Sequence, residues 1–192
     1  MNIRRRVLLV ATGLCMPVLI LASYLAWLQV SGNFAPVIEG AVYRSNQPTP
    51  ERLADYQAAY GIRTVINLRG AAPDEDWYIL EKKAADALGM TLIDVPLAST
   101  RELSDQELRQ LVETLRSAEK PILIHCRSGS NRTGLAAAIY LAAFEQVGTD
   151  TAEQQLSVRY GHVAVPYRPE TSAMDRSWER FRKLSVLPKN GE

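Results

Sequence analysis

The pattern of hydrophobic and polar positions separates a long apolar start from a body of short, alternating segments. An uncharged run extends from Val7 to Val30, and three arginines, Arg4 to Arg6, precede it. Because about 20 apolar residues suffice to cross a bilayer as a helix, the run predicts a membrane anchor within residues 1–30. Basic residues before such a helix stay in the cytoplasm, so everything after Ser31 is expected to lie outside it.

The predicted anchor implies a cellular location. We expect a single-pass protein of the inner (plasma) membrane, held through residues 7–30, with its folded domain in the periplasm. A cleaved signal peptide is the alternative, because Ala22 to Ala26 offers small residues; the run is longer than a usual signal core, however, and lacks a clear Ala-x-Ala site. Residues 31–40 are then predicted to be a linker, residues 41–186 one domain and residues 187–192 a tail.

Strand-like and helix-like segments alternate through the body of the chain. Short apolar runs predict strands at Ala41–Ser45, Thr64–Leu68, Thr91–Leu97 and Ile122–His125. Capping residues and helix-ending glycines predict helices at Thr49–Tyr60, Asp74–Leu88, Ser104–Ser117, Leu135–Phe144, Asp150–Tyr160 and Thr171–Leu184. This alternation predicts an α/β fold with a mostly parallel central sheet flanked by helices on both faces.

The segment after the fourth strand has the features of an anion site. In parallel sheets, ligands collect at the carboxyl ends of the strands, which is where Cys126 is placed. The loop leads into the helix that contains Leu135, so unpaired N–H groups and the positive end of the helix dipole converge there. We expect the backbone of this loop to bind an oxyanion through Arg127, Ser128, Gly129, Ser130, Asn131 and Arg132.

The side chains around this loop suit nucleophilic attack on phosphorus. The field that holds an anion also favours the thiolate of Cys126, which makes it a nucleophile. Arg132 supplies a planar fork that fits two phosphoryl oxygens, and Gly129 permits a positive φ. The hydroxyl of Thr133 can stabilise the sulfur as a leaving group. His125 is interpreted as a scaffold that fixes the backbone at Cys126.

The order His125, Cys126, five residues, Arg132 and Thr133 resembles the signature of the cysteine-dependent protein tyrosine and dual-specificity phosphatases. Val42 to Ser45 and Gly61 to Arg69 are similar to the atypical dual-specificity branch of plants, fungi and bacteria, and the similarity spans residues 37–184. The resemblance implies a protein tyrosine phosphatase-like fold and hydrolysis through a phosphocysteine. It also implies protein phosphotyrosine as the default substrate.

The chain departs from this family pattern at the general acid. Enzymes of the class usually carry an aspartate upstream of the cysteine, but the aligned positions Ala98 to Thr100 cannot donate a proton usefully. The carboxylates that remain as candidates are Asp94, Glu102, Asp105 and Asp175. General acid catalysis matters most for basic leaving groups. Its loss favours phosphotyrosine, a sugar phosphate or a pyrophosphate over phosphoserine.

Composition excludes several other functions. The formal charge is +1, from 22 basic and 21 acidic residues, which does not suit a nucleic-acid binder. The only additional basic residue expected near the loop is Arg127. The two histidines belong to no ligand cluster, so we expect neither a metal nor another cofactor. Of the two cysteines one lies in the apolar run, so no internal disulfide is expected.

Two alternatives to a protein phosphatase stay open. The expected periplasmic location would suit an envelope lipid phosphate or sugar phosphate, and the missing acid would suit a pyrophosphate. A non-catalytic module that recognises phosphate but has lost turnover would also retain the loop. In each case the expected partner is a phosphorylated substrate or ligand.

Overall fold

The structure, a computed structural model, describes residues 3–165 and 167–184, with side chains from Met16 onward. The predicted tail at residues 187–192 lies outside the described residues. The helices are α1 Ile3–Ser31, α2 Pro50–Tyr60, α3 Asp76–Ala87, α4 Asp105–Ser117, α5 Asn131–Phe144, α6 Thr149–Glu153 and α7 Ala173–Lys183. The strands are β1 Ala35–Ile38, β2 Val42–Ser45, β3 Thr64–Asn67, β4 Thr91–Asp94 and β5 Ile122–His125.

The strands form a single sheet in the order β1-β2-β5-β3-β4. Four strands are parallel and β1 joins the edge in antiparallel orientation, so the predicted α/β fold with a mostly parallel sheet is confirmed. The register aligns Ser45, His125, Asn67 and Asp94 in one row across the carboxyl ends of β2, β5, β3 and β4. The residue that follows β5 is therefore held at the end of the most central strand.

Alternate residues of β5 face opposite sides of the sheet, as the pleat requires. Ile122, Ile124 and Cys126 belong to the larger core, which includes buried residues of α4, α5 and α7. Leu123 belongs to the smaller core with residues of α2 and α3. This alternation places the Cys126 side chain on the α5 face and the His125 side chain on the α3 face.

Helix α5 is buried along most of its length, from Thr133 to Ala142. Its alanines and glycine allow close packing: a Cβ added at Gly134 would lie 2.7 Å from the backbone oxygen of Gln155. The helix N-terminus is thereby fixed directly behind the loop that follows Cys126.

Helix α1 does not form the predicted membrane anchor. Within the part of the chain that the structure describes, no helix combines the length and the apolar character needed to cross a bilayer. The last turns of α1 instead pack on the domain, where Leu28 is buried and the Tyr24 hydroxyl donates to the Arg159 carbonyl at 2.7 Å. The prediction of membrane attachment through residues 7–30, with an inner-membrane location and a periplasmic domain, is therefore wrong.

Two further segments differ from the prediction. The expected linker at residues 31–40 contains strand β1, which pairs with β2. The helix expected from Asp150 to Tyr160 is divided into α6 and a 3-10 turn at Val158–Tyr160. Between them, the backbone oxygen and the side-chain amide oxygen of Gln155 both accept hydrogen bonds from Arg44, a residue distant in sequence.

Candidate active site

Cys126 opens a loop that connects β5 to α5, and its side chain is buried. The N–H groups of Ser128, Asn131 and Arg132 donate to no oxygen or nitrogen among the described residues. Helix α5 also begins without a side-chain cap from Ser130. The loop thus presents unpaired backbone donors at a helix N-terminus, an arrangement that binds anions.

The carbonyl groups of the loop are held on its outer side. Asn33 Nδ2 donates to the Ser128 oxygen at 3.0 Å, and Arg44 Nη2 donates to the Gly129 oxygen at 2.7 Å. Because the C=O and N–H of a planar trans peptide point in opposite directions, fixing these oxygens outward turns the N–H groups of Gly129 and Ser130 inward. The Gly129 N–H there reaches the Cys126 sulfur, and the Ser130 N–H donates to Ser128 Oγ at 3.4 Å. The orientation of the anion cradle therefore depends on side chains from outside the loop.

Gly129 has the positive φ that its position predicted, at 73°. A Cβ at this position would lie 2.8 Å from the backbone nitrogen of Asn46 and the carbonyl of Ser45. Both the backbone conformation and the contact with the end of β2 therefore require glycine.

The surroundings of Cys126 favour the thiolate. Burial alone would raise the pKa of the thiol, but the Thr133 hydroxyl, the charge of Arg132 and the N–H groups of Thr133 and Gly129 outweigh it and lower the pKa. The Thr133 hydroxyl is buried and has no oxygen or nitrogen partner within the described residues, which leaves it to the sulfur. The expected nucleophile is thus ionised at a lower pH than an ordinary cysteine.

Arg132 is anchored through one edge of its guanidinium. Nη1 donates to the backbone oxygens of Leu68 at 3.1 Å and Leu97 at 3.3 Å, in the segments that follow β3 and β4. Nε and Nη2 donate to no protein group in the described part of the chain and remain able to bind an oxyanion. Leu97 also precedes Ala98 to Thr100, so the loop without an acid runs beside the arginine.

Arg44 is a supporting residue that the sequence analysis did not identify. It is fully buried in β2, and Nη1 donates to the Gln155 backbone oxygen at 3.0 Å and to Gln155 Oε1 at 2.7 Å. Its guanidinium lies 3.8 Å from the centre of the Tyr160 ring. Burial lowers the pKa of Arg44 to about 10, so it stays charged at neutral pH. A charged residue inside the apolar run of β2 was the signal that could have revealed it.

Arg69 adds a second basic group that was not expected near the loop. Its guanidinium stacks 3.3 Å from the centre of the Trp77 ring, and Nη1 donates to Gln47 Oε1 at 2.7 Å. Burial, followed by the positive charges of Arg132 and Arg127, lowers the pKa of Arg69. Arg127 is thus not the only basic residue beside Arg132.

His125 contacts a buried carboxylate that the sequence analysis also missed. Nε2 lies 2.7 Å from Glu81 Oε1, and both side chains have 0% of their surface exposed. Glu81 points inward from α3 together with Tyr78 and Ala85. Through this contact, His125 joins α3 to the backbone segment that contains Cys126.

The four candidate general acids are each engaged with another group. Asp94 accepts from Asn67 Nδ2 at 2.8 Å and from the Tyr78 hydroxyl at 2.5 Å, a bond that raises the pKa of Tyr78 to about 12. Glu102 and Asp105 both pair with Arg180, a residue of α7. Arg180 Nε lies 2.5 Å from Glu102 Oε1, and Arg180 Nη1 lies 3.0 Å from Asp105 Oδ1.

Asp175 belongs to a chain of contacts that ends at the loop. Its Oδ1 lies 2.8 Å from His162 Nε2, and His162 Nδ1 lies 3.0 Å from Asn131 Oδ1. Two of the four candidates are thus connected to the site. Asp94 lies in the row at the carboxyl ends of the strands, and Asp175 contacts Asn131 of the loop through His162. No cluster of three or more metal-ligating side chains occurs among the described residues.

A cysteine at the end of the central parallel strand, followed by a loop of unpaired amides and an arginine, defines a domain of the protein tyrosine phosphatase class. Within this class, the chain belongs to the PTP-SAK family, the DSP-PTPase phosphatase domain of the Swiss Army Knife proteins, whose model matches residues 32–177.

Similar proteins fall in the same class. Dual specificity protein phosphatase TpbA of Pseudomonas aeruginosa strain UCBPP-PA14 is 31% identical over 101 residues, which are 52% of this chain and 42% of TpbA. The match thus spans less than half the length of that relative. A crystal structure of P. aeruginosa TpbA has a TM-score of 0.60 at 25% identity and covers 79% of this chain and 89% of that one. The catalytic core of Saccharomyces cerevisiae SIW14 shares the fold, with a TM-score of 0.58 at 20% identity, covering 81% of this chain and 94% of its own.

Proposed function

We propose that the protein hydrolyses phosphomonoesters through a phosphocysteine intermediate. The observation that supports this most directly is the position of buried Cys126 at the start of a loop of unpaired amides and beside Arg132, surroundings that lower the pKa of its thiol. In the first step, Sγ attacks phosphorus and the bond from phosphorus to the leaving oxygen breaks. In the second step, water attacks phosphorus, the phosphorus–sulfur bond breaks, and inorganic phosphate and the thiolate are released.

Each residue of the loop has a role in this mechanism. The unpaired N–H groups of Ser128, Asn131 and Arg132 and the free edge of the Arg132 guanidinium hold the phosphoryl oxygens in the ground state and in the transition state. Thr133 stabilises the departing sulfur during the second step. His125 fixes the backbone of the nucleophile through its contact with Glu81. The reaction needs no metal, because the protein supplies both the nucleophile and the positive charge.

Protein phosphotyrosine is the default substrate in this proposal. The relative at 31% identity is named a dual specificity protein phosphatase, and a TpbA variant has been crystallised with pTyr. A tyrosine leaving group also suits a site in which each candidate carboxylate has another partner, because phenolates depart with less help from an acid than alkoxides.

A second substrate class is favoured by one further observation. Arg69 and Arg127 place two positive charges near Arg132, more than a single phosphoryl group needs. A pyrophosphate, or a lipid or sugar phosphate with a second negative group, would use these additional charges.

Replacing Cys126 by serine tests the proposal. The full-length chain should release phosphate from an activated aryl phosphate, and Cys126→Ser should lose at least about a thousandfold in rate while retaining phosphate affinity. Cys15→Ser removes the other cysteine of the sequence and should keep wild-type activity. Substantial hydrolysis by Cys126→Ser would exclude the thiolate mechanism. Phosphate binding by the wild-type protein without any hydrolysis would instead support the non-catalytic module.

A further inference from the structure

The end of helix α1 contacts the outer side of the loop that follows Cys126. Gln29 Nε2, in the last turn of the helix, donates to the Ser128 oxygen at 3.2 Å, and Asn33 Nδ2 donates to the same oxygen at 3.0 Å. We propose that Gln29 and Asn33 are positioning residues which hold this peptide with its N–H side, that of Gly129, toward the Cys126 sulfur and the oxyanion bound beside it. Docking of α1 would then control the phosphate affinity of the site. This inference rests on the proposed function.

Asn33 has a geometry that few other residues could adopt. Its φ is 47°, in the left-handed region that asparagine tolerates better than most side chains. It is 3% exposed, and its amide nitrogen also donates to the Tyr160 oxygen at 2.9 Å. A buried amide that satisfies two carbonyls at once fixes the Ser128 peptide against the 3-10 turn at Val158–Tyr160.

A second set of contacts connects α1 to Gly129. Asn46 Nδ2 donates to the Gln29 oxygen at 2.9 Å, and the Asn46 backbone N–H donates to the Gly32 oxygen at 2.7 Å. A Cβ on Gly129 would lie only 2.8 Å from that same nitrogen of Asn46. Asn46 therefore hydrogen-bonds the end of α1 and lies directly beside Gly129 of the loop.

Two leucines of α1 also lie close to Gly161. A Cβ added there would lie 3.4 Å from Leu28 Cδ1, 3.6 Å from Leu25 Cδ2 and 3.3 Å from Ser130 Oγ. One backbone segment thus separates two leucines of α1 from the loop. A displacement of α1 would be transmitted to Ser130 as well as to Ser128 and Gly129.

The family match begins at residue 32, so Gln29 and the whole of α1 lie outside it. Family membership therefore does not account for their contact with the loop. Because coupling between two sites is reciprocal, an oxyanion bound by the loop should also favour the docked position of α1.

The test measures orthovanadate affinity and kcat/KM in the full-length chain. Asn33→Asp keeps the shape of the side chain but cannot donate, and it adds a negative charge beside two carbonyl oxygens, so it should weaken vanadate binding and kcat/KM at least about tenfold. Gln29→Ala should lower both about threefold, because the Gln29 bond is exposed. Gln110→Ala, at an exposed glutamine of α4, is the matched control and should change neither.

The outcomes separate this inference from the proposed function. Unchanged vanadate affinity in Gln29→Ala and Asn33→Asp, or a lowered melting temperature without a change in affinity, would overturn the positioning role. If Asn33→Asp does not fold, the vanadate affinity of Gln29→Ala tests the positioning role, because Gln29 is at the surface and its replacement should not prevent folding. A wild-type chain that binds vanadate but hydrolyses nothing would contradict the proposed function, and the affinity changes would still test the inference.

Discussion

At the scale of single residues, the ionisation of Cys126 depends on Thr133. After burial, which raises the pKa of the thiol, the hydrogen bond from the Thr133 hydroxyl has the largest effect and lowers it. Thr133→Val should therefore raise the pKa of Cys126. Since the thiolate is the reactive form, the rise of kcat/KM with pH should move to higher pH. At a pH below both pKa values, kcat/KM should fall about tenfold for each pH unit by which the pKa of Cys126 rises.

The rate of alkylation of Cys126 by iodoacetate as a function of pH measures this shift directly. Thr133→Ser keeps the hydroxyl and should follow the wild-type curve. An unchanged midpoint in Thr133→Val would mean that Arg132 and the loop amides determine the ionisation without the hydroxyl.

Residues of the loop could be predicted from sequence because their order along the chain reflects their arrangement in space. Gly129 illustrates this, since its positive φ follows from its place in the loop. Arg44 and Glu81 were not identified from the sequence, and their roles could not be assigned there, because these depend on partners far away in the sequence. The Arg44 side chain bonds to Gln155, a residue 111 positions later.

At the scale of elements, α3 and β5 are connected by the buried pair of Glu81 and His125. Burying a carboxylate is costly unless an opposite charge or a hydrogen bond compensates it, and a buried polar group that loses its partner costs about 1–3 kcal/mol. We expect Glu81→Gln to lower the free energy of unfolding by about 2 kcal/mol, because it takes the carboxylate away from the His125 imidazole.

Urea unfolding at neutral pH measures this change. Glu75→Gln is the matched control, because Glu75 precedes the same helix, is exposed and makes no side-chain cap hydrogen bond. Equal unfolding curves for the two variants would show that the contact between Glu81 and His125 contributes no net stability.

The same scale shows why the helices could be predicted but the role of α1 could not. The capping box at Ser104 and Glu107 and the left-handed Gly61 are local signals, and both occur where the sequence indicated helix ends. The environment of α1 depends instead on distant contacts, such as that of Tyr24 with Arg159. A hydropathy pattern predicts an apolar helix, but it does not show which other residues the helix contacts.

At the scale of the whole molecule, charge is almost balanced but unevenly distributed. The formal charge is only +1, yet the charges of Arg69, Arg127 and Arg132 act on one another beside Cys126. A local concentration of positive charge at a concave site attracts anions even when the net charge is small. The field at the site, rather than the overall charge, should therefore determine how salt affects the reaction.

Arg69 adds positive charge beside Arg132 that a pyrophosphate would use more than an aryl phosphate. Salt shortens the screening length from about 10 Å at 0.1 M to about 3 Å at 1 M, so kcat/KM should fall as salt increases, and more steeply for a pyrophosphate than for an aryl phosphate. Arg69→Met should lower kcat/KM for the pyrophosphate about tenfold at low salt, which corresponds to about 1.4 kcal/mol. It should also flatten the salt dependence.

Arg63→Met is the control for this comparison, because Arg63 precedes β3 at the opposite end from Arg69, and 62% of its side-chain surface is exposed. It removes the same charge from the molecule while leaving the site unchanged, so both substrates should retain wild-type rates and salt slopes. If Arg69→Met lowered the rates for both substrates equally, Arg69 would act by supporting Trp77 and the loop structure. A loss specific to the pyrophosphate would instead identify Arg69 as the residue that binds the second phosphate.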